Sequence, residues 1–129
     1  MIWVETIVAI AMHDLALSEG GGAEGLRDIG LLESALARPR QLLNYDKAKP
    51  GIPALAAAYA WGLIRDHPFV DGNKRTAFFV STGFCQANGY RFEAAEGEPT
   101  VIFEAAAAGE IREPGLALWF KRHTRKIRR

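Results

Sequence analysis

A single cysteine, Cys85, stands in the 129-residue chain. One thiol closes no internal disulfide, and no Cys-x-x-Cys or Cys/His ligand spacing surrounds it, which excludes a disulfide scaffold and a zinc ribbon. Long apolar runs are missing too, the longest being too short or too interrupted to cross a bilayer, so no membrane is expected among the partners. The opening residues Met1-Ile2-Trp3-Val4-Glu5 lack the basic start and small-residue cleavage site of a secretory leader, and a cytoplasmic protein is the expectation. Internal repeats, linkers and low-complexity tracts beyond alanine-rich stretches are also lacking. What is there is globular in balance, with 49% hydrophobic and 24% charged residues, which argues against disorder. The length suits one domain over residues 1–129, large enough to bury about two-thirds of its unfolded surface.

The net charge of +1 hides an asymmetry. Six of the 16 basic residues, Lys121, Arg122, Arg125, Lys126, Arg128 and Arg129, fall in a basic tail at 121–129, and residues 1–120 carry a net charge of −5. No aromatic interleaving or RNA-binding motif accompanies these cations, so a solvated, frayed end is expected and nucleic acid is not placed among the partners.

Apolar spacing predicts a mostly buried helix over 4–17, stopped by Ser18, Glu19 and three glycines. A second helix is expected over 31–43, interrupted or bent near Pro39, followed by a loop or flap over 44–53. Helices follow over 54–66 and 73–87, the latter stopped at Asn88-Gly89, then a short extended piece near 90–93 and helices over 100–108 and 114–122. The class is all-α, a compact domain of about six helices with a short flap.

Gly20-Gly21-Gly22-Ala23-Glu24-Gly25 formally matches GxGxxG, but a helix precedes it and no βαβ pattern follows. The glycines read as left-handed turn geometry. His13 and Asp14 sit at a helix end without a ligand partner at i+4 and read as structural. His123 reads as facing water or last-turn carbonyls, and Cys85 as a small core residue.

One segment is dense in chemistry: His67-Pro68-Phe69-Val70-Asp71-Gly72-Asn73-Lys74-Arg75-Thr76-Ala77. A helix starting near Asn73 leaves main-chain N–H groups around Gly72 unpartnered, a ready anion site. Lys74 and Arg75 add cations where the helix dipole disfavours them, a conflict that a polyphosphate would resolve. Asp71 is a carboxylate beside those phosphates, and magnesium needs only one or two such ligands plus phosphate oxygens and water. An imidazole at His67 suits taking a proton from a hydroxyl near neutral pH. Phe69 reads as the anchor of the loop. Base, metal carboxylate and anion hole within nine residues describe phosphate-transfer chemistry.

This segment resembles the signature of the Fic/Doc superfamily, HxFx(D/E)GN(G/K)R, at His67, Phe69, Asp71, Gly72, Asn73, Lys74 and Arg75. Lys74 stands where AMP-transferring members carry glycine, the form of the Doc (death-on-curing) toxin branch. The run from 25 to 39, GLRDIGLLESALARP, resembles the opening of the second helix in Doc-like proteins. The resemblance implies a helical Fic/Doc domain that transfers phosphoryl from Mg²⁺ and ATP to a hydroxyl of a target protein such as elongation factor Tu. It implies His67 as general base, Asp71 as metal ligand, and Gly72, Asn73, Lys74 and Arg75 as the phosphate holders. The 44–53 loop would be the family's flap, aligning the target beside the site. A toxin–antitoxin pair, with a small antitoxin protein as inhibitor, is implied as well. Lys74 favours phosphoryl over AMP transfer by obstructing one phosphate pose. AMP transfer and a non-catalytic nucleotide- or antitoxin-binding module are the alternatives. Two features depart from the wider family: Phe78 stands where many AMP-transferring members have a second arginine, and Thr100-Val101-Ile102-Phe103-Glu104-Ala105 misses the last position of the self-inhibitory (S/T)xxxE(G/N) motif. Inhibition is therefore expected from a separate partner.

Overall fold

The computed structural model describes residues 1–128; Arg129, the last residue of the basic tail, lies outside the described residues. The fold is built around one buried helix. The sequence IPALAAAYAWGLIRD is apolar on nearly every side, and such a helix must be covered all round. Accordingly α3 (Ile52–Asp66) runs through the centre with ten of its 15 residues buried. Its small side chains let neighbours approach: a methyl group at Gly62 would lie 3.2–3.3 Å from Ala35 of α2 (Ile29–Tyr45). α4 (Asn73–Ala87), α5 (Glu98–Ala107) and α6 (Glu113–His123) complete the cover around it, and α1 (Thr6–Gly20) packs chiefly on α4. Among the described residues no helix is long and apolar enough to cross a membrane.

Several expectations are corrected. α1 is not mostly buried: only Ala9, His13 and Ala16 are buried, with Ile10 and Met12 packed partly against the core, while Ile7, Val8 and Leu15 are 78%, 42% and 51% exposed. It lies at the edge of the bundle, packed chiefly on α4, so one side is covered and the other meets solvent. α2 is continuous through Pro39, because the proline is buried against the core and packing outweighs local propensity. The all-α reading needs one addition, a two-stranded antiparallel sheet of β1 (Tyr90–Phe92) and β2 (Thr124–Lys126). The basic tail is therefore not frayed from its start. Lys121 and Arg122 finish α6, and Thr124 is buried with its hydroxyl donating to the Phe120 carbonyl at 2.6 Å. Phe92, Phe103, Trp119 and Phe120 form an aromatic cluster under this sheet.

The 44–53 segment is also corrected as a flap beside the chemistry. The Asp28 N–H, at the start of α2, donates to the Pro68 carbonyl just past the end of α3, so the two helices run antiparallel. The turn that joins them lies at the far end of the pair, one helix length or about 22 Å from His67. The segment that does lie against the His67 loop is 20–28, between α1 and α2.

Candidate active site

The 67–75 loop leaves α3 by a sharp reversal. His67 caps the helix in a left-handed conformation (φ 53°, ψ 55°) that side-chain-bearing residues seldom adopt. Phe69 then turns inward, 1% exposed, and stacks on His13 of α1 with centroids 3.8 Å apart and planes 6° from parallel. His13 Nε2–H donates to the Asp71 carbonyl at 2.8 Å. His13 thus lies inside α1 rather than at its end, and it supports the loop from below. The buried Asn73 side chain closes the loop from within: Oδ1 accepts from the Phe69 N–H at 3.0 Å and Nδ2 donates to the Phe69 carbonyl at 2.9 Å. This corrects Asn73 as a side-chain phosphate holder. Its amide is buried and turned to Phe69, leaving its main-chain N–H to face an anion.

Gly72 takes the left-handed turn (φ 76°) that starts α4, and no side chain caps that start. The N–H groups of Asn73, Lys74 and Arg75 consequently have no helical acceptor. Lys74 is exposed, with no ion pair among the described residues. Arg75 Nη1 donates to the Ala16 carbonyl of α1 at 3.1 Å, and its guanidinium lies where a side chain on Gly20 would otherwise be. The exposed Asp71 carboxylate accepts from the Ala23 N–H at 3.1 Å (Oδ2) and the Gly72 N–H at 2.8 Å (Oδ1). Those two amides, with a further contribution from Arg75, hold its carboxyl below the usual carboxylate range.

The 20–28 segment is the part that motif reading missed. The Val70 N–H donates to the Gly25 carbonyl at 3.0 Å, and Leu26 bridges Phe69 in antiparallel fashion. Arg27 donates from Nε to the His67 carbonyl and from Nη2 to the Asp66 carbonyl, both at 2.9 Å. The Asp28 carboxylate accepts from the Leu31 N–H at 3.0 Å, capping α2. Gly21, Gly22 and Gly25 all have positive φ, in keeping with the turn reading of the glycine run. The available signal was the spacing of these glycines before a Leu-Arg-Asp run, which marks a constrained loop without saying what it constrains.

Other residues singled out lie elsewhere. Phe78 packs edge-on against Phe92 and Phe103, at 5.7 and 5.6 Å, turned into the aromatic cluster rather than to the α4 start. Glu104 is exposed and makes no bond to Arg75 among the described residues. His123 donates from Nδ1 to the Trp119 carbonyl at 2.7 Å and meets Glu98 through Nε2 at 2.6 Å. Cys85 is buried, and desolvation pushes its thiol up to about 12, far from reactive.

Residues 3–85, which include all of this site, match the Fic/DOC family. The chain is 42% identical over 74 residues to Toxin Doc of Mycolicibacterium smegmatis (strain ATCC 700084 / mc(2)155), covering 57% of each protein. It is 32% identical over 109 residues to Protein kinase doc of Escherichia phage P1, covering 84% of each. The alignment thus spans little more than half of the first relative and most of the second. On this sequence match and this helical domain, the chain belongs to the Fic/DOC family, and its relatives put it on the Doc branch.

Proposed function

We propose that this protein is a Doc-type toxin that transfers the γ-phosphoryl group of ATP to a hydroxyl of a target protein. The observation that carries the reading is the uncapped start of α4. Its unpartnered N–H groups at Asn73, Lys74 and Arg75, with the Lys74 and Arg75 cations, follow directly in the chain on an Asp71 held ionised and an exposed His67. The name of the phage relative, a protein kinase, supports phosphoryl over AMP transfer.

In this reading His67 takes the proton from the acceptor hydroxyl, whose oxygen bonds to the γ-phosphorus as the bond to the β–γ bridging oxygen breaks. ADP leaves with that electron pair. Lys74, Arg75 and the N–H groups of Asn73 to Arg75 hold the polyphosphate and meet the charge developing on it, while the Gly72 N–H, taken up by Asp71 Oδ1, holds that carboxylate instead. Phe69, stacked on His13 and tied to Asn73, keeps the loop in place. Asp71 suits magnesium: it offers hard oxygen in its ionised form, and magnesium takes only one or two protein carboxylates beside phosphate oxygens and water. Magnesium bound there through Asp71 and phosphate oxygens would neutralise phosphate charge. The proposed target is a translation factor such as elongation factor Tu, and the proposed inhibitor a small antitoxin protein.

Incubation with ATP labelled separately at the α- and γ-positions, in a bacterial cell extract, tests the reading. The expected result is γ-label on a protein band, absent with His67→Ala. Label from the α-position overturns phosphoryl transfer in favour of AMP transfer. Label from neither position, with harmless expression, favours a binding module.

A further inference from the structure

His67 combines two properties that conflict in a general base. It is exposed on a loop, and its main chain holds a left-handed conformation, so something outside the residue must fix it. The carbonyls of Asp66, His67 and Pro68 also lie at the outgoing end of α3, where no helical N–H follows to donate to them. All three are met by one residue. Arg27 donates from Nη2 to the Asp66 carbonyl (2.9 Å), from Nε to the His67 carbonyl (2.9 Å) and from its main-chain N–H to the Pro68 carbonyl (2.8 Å).

We infer that Arg27 is a positioning residue for His67. Its guanidinium holds the main chain of the base in the one conformation from which the imidazole meets the acceptor hydroxyl. The inference rests on the phosphoryl-transfer reading above. A guanidinium suits the task because Nε and Nη2 are parallel donors in a rigid fork, able to span two successive carbonyls, whereas an ammonium is a single point donor. The positive charge is also favourable against the negative end of α3. Arg27 makes no ion pair with a carboxylate among the described residues, so these carbonyls are its whole polar engagement. The Gly25 carbonyl bonded to Val70 and the Asp28 N–H bonded to Pro68 pin its backbone from either side. Arg27→Ala therefore removes the two guanidinium bonds while leaving the strand-like pairing of 25–28 with 68–70 in place. Arg27 is itself exposed, so the core loses nothing.

The test uses the full chain with γ-labelled ATP, magnesium and a bacterial cell extract, comparing Arg27→Ala and Arg27→Lys with wild type. In parallel, backbone order at the His67 and Phe69 amides is read by heteronuclear NOE. Expected for Arg27→Ala is a fall in kcat of about 10²-fold with the KM for ATP unchanged, since a small misplacement of a reacting group has that effect. Order is expected to fall at His67 while Leu63 inside α3 is unaffected. Lysine should restore only part of the rate, and added guanidinium ion should raise the rate of the alanine variant. A wild-type kcat in Arg27→Ala, a change in KM alone, or full activity with lysine overturns the inference. Should the wild-type protein transfer no label, the phosphoryl-transfer reading falls. The amide measurement then judges the clamp by itself: lost order at His67 upholds it, and unchanged order overturns it.

Discussion

Two neighbouring glycines separate the effect of a strained turn from the effect of crowding Asp71. Gly21 (φ 72°) and Gly22 (φ 119°) both have positive φ, so alanine at either position is strained by about 1–3 kcal/mol. Their surroundings differ. A methyl group at Gly21 meets nothing within 4 Å, whereas one at Gly22 would lie 2.8 Å from Asp71 Oδ2 and 3.1 Å from a methyl of Leu17. The carboxylate is short and already bonded to two amides, so it can yield only by letting go of the Ala23 N–H.

Both variants should therefore lower the thermal midpoint, by roughly 3–10 °C from the strain alone in a domain of this size, with Gly22→Ala the lower of the two because it also gives up the Ala23 bond. They should part company in ligand binding. Gly21→Ala should keep wild-type affinity for ATP with magnesium, while Gly22→Ala should weaken it by about tenfold, the result of moving one charged ligand. Calorimetric titration with ATP, in magnesium and in a chelator, checks this, since the gap between the variants should close once magnesium is removed. Equal affinities for the two variants in magnesium would refute the link between Gly22 and Asp71.

His67→Ala should lower transfer by about 10²–10⁴-fold while leaving the thermal midpoint within a few degrees of wild type, because the side chain is exposed; a fully active variant would remove His67 as base. Asp71 carries a pH signature whose sign follows from its depressed acidity. The stabilisation from its ionised form is complete above the ordinary carboxylate range and is lost as pH falls through the lowered value. The difference in thermal midpoint between wild type and Asp71→Asn should accordingly be level near neutrality and shrink below about pH 4. A difference that stays constant into strong acid would refute it.

Helix positions were legible where one period dominated. The Asn73 start and Ala87 end of α4 are where Pro68, Gly72 and Asn88-Gly89 put them. α1 was misjudged because apolar residues occur on two of its faces, and periodicity alone does not say which face meets a neighbour. β2 was invisible for a different reason: Thr-Arg-Lys has no strand signature of its own, and its pairing with Tyr90–Phe92 depends on where α6 delivers the chain. In the site, the nine-residue motif was readable because its residues follow one another in the chain. Arg27 and His13 donate to main-chain carbonyls, and Ala23 donates its own main-chain N–H to the Asp71 carboxylate, across 40 to 58 positions, and no local pattern reports such contacts. That 20–28 and not 44–53 lies against the His67 loop has the same origin, since loop position depends on the antiparallel sense of α2 and α3.

Lys74 and Arg75 are not equivalent cations, although they are adjacent at the start of α4. That start carries the positive end of the helix dipole, which disfavours both. Arg75 finds compensation in the C-terminal end of α1, whose carbonyls are the negative end of another dipole, and it donates to the Ala16 carbonyl at 3.1 Å. Lys74 has no such acceptor among the described residues and stands exposed in the first turn. It is thus the cation whose unfavourable charge only a bound anion relieves. Lys74→Ala should raise the stability of the ligand-free protein by about 0.3–1 kcal/mol, the usual size of a charge–dipole effect at an exposed helix end. The thermal midpoint would then rise by roughly 1–4 °C. With saturating ATP and magnesium the order should reverse, because the wild-type protein gains the lysine–phosphate attraction on binding and the variant does not. Thermal unfolding of both proteins with and without the nucleotide measures this crossing directly. A variant less stable than wild type without nucleotide, or one stabilised equally by it, would show that Lys74 serves the fold rather than the phosphates.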